Sequence, residues 1–408
     1  MVYLFRFQFW NVRKERIYRM STIKLYDDQP YGKEFQAEVL SCEPVRKNGR
    51  DAFAVVLDQT LFFPEEGGQS PDTGKLGGAD VFYVSIDKEQ VITHFTDKPL
   101  EAGSHVKGVI DWPQRFSNMQ NHTGEHILSG LIHKYYGYNN VGFHLSPDIV
   151  TMDMDGVVSP EGLKKIEQEA NRAVYENVEV ICSYPEKEVL SALDYRSKIE
   201  IDGPVRIVEV KGYDICACCA PHVARAGEIG LIKILKSENY KGGIRLTIAS
   251  GSRALAAVQE VWDAAQDAAR ELSVKPEEIA PAVKKVQDDV FALRGKLAAF
   301  QMQAVRQKAE AVPEGQKNAW FFEEELDTKA QRDFVNLLTA KCSGYAGVFV
   351  GNDADGYKYI IGSAGGDARV PNQALREEFK ARGGGKPEMV QGSVNAPKAD
   401  ILAAFEQQ

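Results

Sequence analysis

The sequence predicts an α+β multidomain protein, and three patterns carry that expectation. Short apolar or alternating runs, separated by turn residues, fill residues 21–112 and specify strands. Apolar residues at helical spacing alternate with further short strands over 113–250. A charge-laced helical stretch, 251–315, then leads into a compact α/β tail, 316–408.

Residues 1–20 read as a non-native or disordered extension. They mix Phe and Trp with Arg6, Arg13, Lys14, Glu15, Arg16 and Arg19. No long apolar core precedes a small-residue cleavage site, so they make a poor secretory signal, and Met20 is the expected natural start. In the next segment, Phe35-Gln-Ala-Glu-Val-Leu, Ala52-Phe-Ala-Val-Val-Leu, Val81-Phe-Tyr-Val-Ser-Ile and His105-Val-Lys-Gly-Val-Ile are the expected strands. A small N-terminal β-barrel is their natural packing.

Over 113–250 the spacing predicts a helix at 121–136, with Ile127, Leu128, Leu131, Ile132 and Tyr135 on its apolar face. A second helix spans 160–176, with Ser159 as its cap and Pro160 at its first position. Strands are expected near 178–183, 205–210 and 230–236. Residues 252–311 predict two helices broken at 273–281, forming a hairpin, a bundle pair or a coiled coil, and a homodimer is expected through this segment or through the C-terminal domain. In the tail, Ala346-Gly-Val-Phe-Val and Tyr357-Lys-Tyr-Ile-Ile-Gly read as strands. A helix at 372–382 is expected to end in Gly383-Gly384-Gly385.

The 408 residues are 44% hydrophobic and 26% charged, ordinary values for a soluble globular chain. No run approaches the ~20 apolar residues of a membrane span. The formal net charge is −9, although the first 19 residues are basic, so a general nucleic-acid footprint is absent. A local basic surface remains compatible with that balance, because phosphate contacts are local. Three of the six cysteines, Cys216, Cys218 and Cys219, crowd into four positions, which fits reduced cytoplasmic thiols with a metal role better than disulfides.

Two motifs point to metal. His122-Thr-Gly-Glu-His126 places two imidazoles four residues apart on one helix face, a spacing with which both can reach one zinc ion. Asp214-Ile-Cys216-Ala-Cys218-Cys219-Ala-Pro-His222 supplies thiolates and a third imidazole, ligands that zinc prefers. Spacing favours His122, His126, Cys218 and His222, while Cys216 or Cys219 could replace Cys218. A third motif, Thr60-Leu-Phe-Phe-Pro-Glu-Glu-Gly67-Gly68-Gln69 followed by Asp72-Thr-Gly74, combines a glycine pair with hydroxyl and amide groups. Alone it reads equally well as a hairpin turn. Glu125 lies one residue from His126 and points to a different azimuth, so it is not counted as a catalytic base.

Together and in this order, the three motifs resemble the alanyl-tRNA editing proteins of the AlaX type and the editing half of alanyl-tRNA synthetase. The barrel signature is similar to residues 60–69, the first zinc motif to His122 and His126, and the second to Cys218, His222 and Ala226-Gly-Glu-Ile-Gly230. The tail, with Gly365-Gly366 and Gly383-Gly-Gly-Lys-Pro-Glu-Met-Val-Gln391, resembles the DHH-associated domain that marks the family's long form. Cys219, Ala220 and Pro221 depart from the synthetase's usual glycines and threonine between the cysteine and the histidine.

The resemblance implies zinc-dependent hydrolysis of serine or glycine from mischarged alanine tRNA, without aminoacylation, since only about thirty residues precede the first barrel strand. It implies one zinc ion per chain. Gln69 would position the ester, Thr60 would bond the serine hydroxyl, and Gly67 and Gly68 would admit the substrate. Lys236, Lys241, Arg245 and Lys386 are the expected tRNA contacts. Three rivals share parts of this pattern. His122-Thr-Gly-Glu-His126 also fits the H-x-x-E-H signature of inverzincin proteases. A zinc-stabilised tRNA-binding protein needs only the ligands, and a DHH phosphoesterase needs an Asp-His-His triplet that this chain lacks.

Overall fold

The computed structural model describes residues 21–197 and 203–406. The expected extension, 1–20, lies outside the described residues. The chain divides into two compact units, Met1–Ala264 and Ala265–Gln408. The segments expected as separate barrel and α+β domains both fall in the first.

Six strands of the first unit close into a barrel: β1 (Glu34–Lys47), β2 (Arg50–Leu57), β3 (Gly74–Leu76), β4 (Ala79–Ile86), β5 (Ile92–Thr96) and β6 (His105–Ile110). Their order is β1-β2-β5-β4-β3-β6, with β6 returning to β1. Alternation along each strand turns Val39, Val55, Leu57, Val84 and Ile92 inward, and all five are fully buried. Leu61, Phe62 and Phe63 of the third motif extend the same core.

Helix α1 (Trp112–Tyr136) follows directly. It starts nine residues earlier than its apolar spacing indicates. Asp111 caps it by accepting from the Gln114 N–H, and Pro113 sits in the first turn. The early turns look polar because Arg115 is buried by pairing and not by hydrophobicity, and Asn118 is buried with its Oδ1 accepting from Arg253 and its Nδ2 unpartnered. Arg115 Nε donates to both Asp72 oxygens, and its other nitrogens reach the carbonyls of Leu61 and Pro30. The Phe63 N–H donates to Asp72 at 2.7 Å, so one ion pair ties α1 to the barrel core.

Beyond α1, β7 (Asn140–Leu145), β8 (Val150–Met154), β12 (Ile232–Tyr240) and β13 (Gly243–Ser250) form a sheet in the order β12-β13-β8-β7. Helix α2 (Pro160–Glu176) has the Ser159 cap and Pro160 start that its sequence dictates. A three-stranded sheet, β9 (Val180–Ser183), β10 (Ile207–Val210) and β11 (Asp214–Ala217), completes the layer. Gly130 lets α1 press against it: a Cβ there would stand 2.3 Å from the Tyr213 carbonyl and 2.7 Å from Asp214 Cβ.

Helices α3 (Ser252–Leu272) and α4 (Ile279–Glu310) are separated by a shorter break than expected. Pro281 lies inside the first turn of α4, where a missing N–H breaks no helical bond. On α4, Val283, Val286, Val290, Leu293, Leu297 and Phe300 recur at alternating spacings of three and four, and each is at least 41% exposed.

In the second unit, β14 (Ala319–Glu323), β15 (Tyr345–Asn352), β16 (Gly356–Ser363), β17 (Arg382–Lys386) and β18 (Met389–Val394) form a sheet in the order β14-β15-β16-β18-β17. Helices α5 (Thr328–Thr339), α6 (Arg369–Phe379) and α7 (Lys398–Glu406) accompany it. The expectation for Gly383-Gly384-Gly385 is corrected here. These residues do not end a helix; they form edge strand β17 against β18. Helix α6 already stops at Lys380, which takes φ 55°. The strand needs Gly383 because a Cβ there would meet Tyr359 Oη at 2.3 Å.

Candidate metal centre

Two segments converge beneath the barrel loop. Helix α1 contributes His122 and His126, and the segment after β11 contributes Cys218 and His222. One ligand atom from each of the four lies within 4.8 Å of all the others. Cys218 Sγ stands 3.5 Å from His122 Nε2 and 3.4 Å from His222 Nε2. Zinc–nitrogen bonds of about 2.0–2.1 Å and a zinc–sulfur bond of about 2.3 Å give a tetrahedral S···N edge of about 3.6 Å. The donor set and its spacing fit a zinc ion.

Each imidazole is held by its other nitrogen. His122 Nδ1 lies 2.8 Å from Gln69 Oε1, and His126 Nδ1 lies 2.9 Å from Asp214 Oδ2. His222 Nδ1 lies 3.0 Å from the Thr123 hydroxyl, which itself donates to the Met119 carbonyl. All three partners accept, so each Nδ1 carries the proton and each Nε2 lone pair is left for a metal. Arg196 closes the arrangement by donating to both oxygens of Asp214 at 2.8 Å.

Protonation states agree with that reading at His222 and Cys218, whereas His126, held by Asp214, binds a second proton at Nε2 that a metal must displace. Burial pushes the His222 imidazole down to about 3, leaving it neutral. Burial alone would raise the Cys218 thiol, but the adjacent His122 and His222 rings hold it well below the usual thiol range. Burial disfavours charge on His126 as well, yet its hydrogen bond to Asp214 raises its affinity for a proton.

The cysteine alternatives separate in space. Cys218 faces the three imidazoles. Cys216 groups with His126 and Asp214. Cys219 lies across from Gly67, whose Cβ would stand 3.4 Å from its sulfur.

The barrel loop brings Gln69 to the centre. Gly68, at φ 83°, lies so close to β7 that a Cβ would sit 2.3 Å from the Phe143 carbonyl, and its own carbonyl accepts from the Leu145 N–H. Gly67 and Gly68 are exposed above the cluster. Gln69 is 1% exposed, and its Nε2 is buried without a partner.

Thr60 makes its hydrogen bonds within the barrel and none to the four clustered side chains. Its hydroxyl is fully buried, donates to His94 Nε2 at 2.8 Å and accepts from the Phe62 N–H. Burial pushes the His94 imidazole down to about 4, so it is neutral and accepts at Nε2. Glu125 is buried and takes hydrogen bonds from Ser129 and Asn140, which tie α1 to β7. Of the expected tRNA contacts, Lys236 pairs with Glu238 and Lys241 lies over the Tyr240 ring. Arg245 is already engaged: it binds both Asp153 oxygens at 2.6 and 2.7 Å and stacks on Tyr240. Lys386 is exposed on β17 of the second unit.

Sequence reasoning missed Arg196, Thr123 and the role of Asp214. Asp214 stands within the second motif, four residues before Cys218, so its signal was present. Arg196 carries none, because β11 brings it to Asp214 only in the fold.

A family model described as the Threonyl and Alanyl tRNA synthetase second additional domain matches residues 205–247, which include Cys218 and His222. The alanine–tRNA ligase of Methanoregula boonei is 33% identical over 406 residues, covering 93% of this chain and 42% of the ligase. The ligase of Ignicoccus hospitalis is 27% identical over 90% of the chain. The chain spans 40% of that ligase's length. The alanyl-tRNA editing protein Aarsd1-A of Xenopus laevis is 32% identical over 277 residues, covering 65% of this chain and 67% of that protein.

Proposed function

Because the chain belongs to the family of alanyl-tRNA editing proteins, we propose that it deacylates mischarged alanine tRNA. The reaction is hydrolysis of the ester joining serine, or glycine, to the terminal adenosine. The observation that carries the reading is the convergence of three Nδ1-anchored imidazoles on one low-pKa thiol beside an unpartnered amide.

His122, His126, Cys218 and His222 hold one zinc ion per chain. When bound, zinc supplies positive charge that polarises a substrate oxygen or acidifies water. With all four groups as donors the ion would have no open position and would hold the shape of the site, whereas polarising an oxygen or a water would require one of the four to leave or a fifth position to open. Gln69 spends Oε1 on His122 and offers Nε2 to the ester carbonyl. Gly67 and Gly68 let the substrate approach the backbone closely. Thr60 keeps one lone pair beyond its bonds to His94 and Phe62, and this accepts from the serine hydroxyl. Alanine lacks that donor and is spared; a site built to bond a hydroxyl discriminates strongly against its absence.

Lys236, Lys241 and Lys386 contact tRNA phosphates, and Arg245 supports them through Asp153 and Tyr240. The second unit corresponds to a DHH-associated domain, and the α4 seam pairs two copies into a homodimer. The protein acts in the cytoplasm. No helix among the described residues is long and apolar enough to cross a membrane.

The test compares serine-charged with alanine-charged alanine tRNA, using a Cys218→Ala, His222→Ala double variant as control. Rapid loss of serine alone, abolished in the variant, supports the reading. Retention of both esters by the zinc-loaded protein overturns it.

A further inference from the structure

Glu66 stands outside every role assigned so far. It sits on the loop between Phe63 and Gln69, with its carbonyl accepting the Gln69 N–H at 3.0 Å. The two residues pair as an antiparallel bridge, so the loop that orients His122 also fixes Glu66. The next residue, Gly67, faces Cys219, the neighbour of Cys218.

Glu66 Oε2 is shielded from water and has no hydrogen-bond partner among the described residues. A carboxylate oxygen in that position has lost its hydration without replacement, a state that ordinarily costs free energy unless a ligand restores the bond. Two more unpartnered polar atoms accompany it, Gln69 Nε2 and Tyr26 Oη, each on a residue 1% exposed. Gln69 Nε2 is a donor, Glu66 Oε2 an acceptor, and Tyr26 Oη can act as either. The Glu66 carboxylate also hydrogen-bonds the Cys219 thiol, so Oε2 is the oxygen that stays unpartnered.

An aminoacyl ester presents a carbonyl oxygen and, two bonds from the carbonyl carbon, an α-amino group that is largely protonated near neutral pH. We propose that the Glu66 carboxylate binds the α-ammonium group of the aminoacyl ester and restricts the site to esters with an unblocked amine. The inference rests on the editing reading for its substrate. It adds a second anchor point: Gln69 takes the carbonyl, Glu66 takes the ammonium, and the two contacts fix the ester against the metal cluster. Charge assistance makes the ammonium contact the stronger of the two.

The experiment uses the full-length zinc-loaded protein, wild type and Glu66→Gln, with seryl- and N-acetylseryl-alanine tRNA. The wild type should hydrolyse the free-amine ester at least tenfold faster. Glu66→Gln should lose about tenfold to a hundredfold in kcat/KM on that ester and little on the acetylated one. Equal zinc content and thermal midpoint exclude a folding defect. An unchanged preference ratio in Glu66→Gln overturns the role of Glu66 while leaving the editing reading intact. Calorimetry with the stable 3′-seryl-amido adenosine and its N-acetyl form separates the two claims. A protein that hydrolyses neither ester but binds the free-amine amide preferentially, with the preference lost in Glu66→Gln, keeps the Glu66 contact and overturns editing. Absence of both hydrolysis and preferential binding overturns both.

Discussion

Gln69 Oε1 lies 2.8 Å from His122 Nδ1, so a residue of the barrel loop sets the tautomer of a ring on α1. The barrel is therefore part of the candidate metal centre and not an appendage to it. Gln69→Ala should remove the acceptor that orients His122 and weaken zinc affinity or activity by about 10–100-fold. Competitive chelation measures the first and deacylation the second. Unaltered zinc affinity together with unaltered rate would remove Gln69 from the site.

Only one cysteine faces the three imidazoles, which gives an unambiguous outcome for metal content. Cys218→Ser should abolish stoichiometric zinc, while Cys216→Ser and Cys219→Ser should retain it. His222→Ala should behave like Cys218→Ser. If His222→Ala retained full zinc and Glu125→Gln lost catalysis, the inverzincin reading would be correct. Atomic absorption on purified proteins decides the matter.

The convergence of His122, His126, Cys218 and His222 was legible because histidine and cysteine are scarce and each pair is four residues apart. Helix α2 was legible because Ser159 and Pro160 announce its start. What escaped the sequence depends on long-range pairing. Arg115 looks like a surface residue until Asp72, 43 positions earlier, neutralises it. Thr60 looks like an uncommitted hydroxyl until His94 arrives across the barrel to accept its proton, which leaves Thr60 able only to accept. Gly383-Gly384-Gly385 looks like a helix stop because the closeness of Tyr359 has no local trace.

The Arg115–Asp72 pair is almost completely buried, with side chains 0% and 1% exposed. Removing one partner leaves an uncompensated charge in the core. Arg115→Met should destabilise the first unit by about 3–5 kcal/mol. Urea unfolding followed by tryptophan fluorescence measures the loss. A change below about 1 kcal/mol would mean that water reaches Asp72.

His94 links pH to the stability of the barrel. Its folded pKa, about 4, lies below the ordinary histidine value of about 6.5 because burial disfavours the charged ring. Between those values the unfolded chain binds the proton and the folded one does not, so stability rises with pH. The contribution is fully present above about pH 6.5 and is lost as pH falls toward 4, a total of about 3 kcal/mol. Protonation also turns Nε2 into a donor and ends its acceptance from Thr60. The difference in stability between pH 7 and pH 5 should be smaller in His94→Gln than in the wild type. Parallel pH profiles for the two proteins would contradict the assignment.

The basic residues of the β12–β13 hairpin should divide into two classes. Lys236 and Lys241 are exposed and engage at most a single weak partner, so either can turn to a phosphate. Replacing either with Ala should weaken tRNA binding severalfold and lower the salt slope by about one. Stability should change little, because the Lys236–Glu238 pair is exposed. Arg245 is different. Its guanidinium is held by two bonds to Asp153 between β13 and β8 and lies against Tyr240. Arg245→Ala should therefore disturb the hairpin, lowering the thermal midpoint along with tRNA affinity. Filter binding across a salt series, run beside thermal melts, separates the classes. If Arg245→Ala reduced the salt slope by one and left the melt untouched, the arginine would be a phosphate ligand that releases Asp153 when tRNA binds.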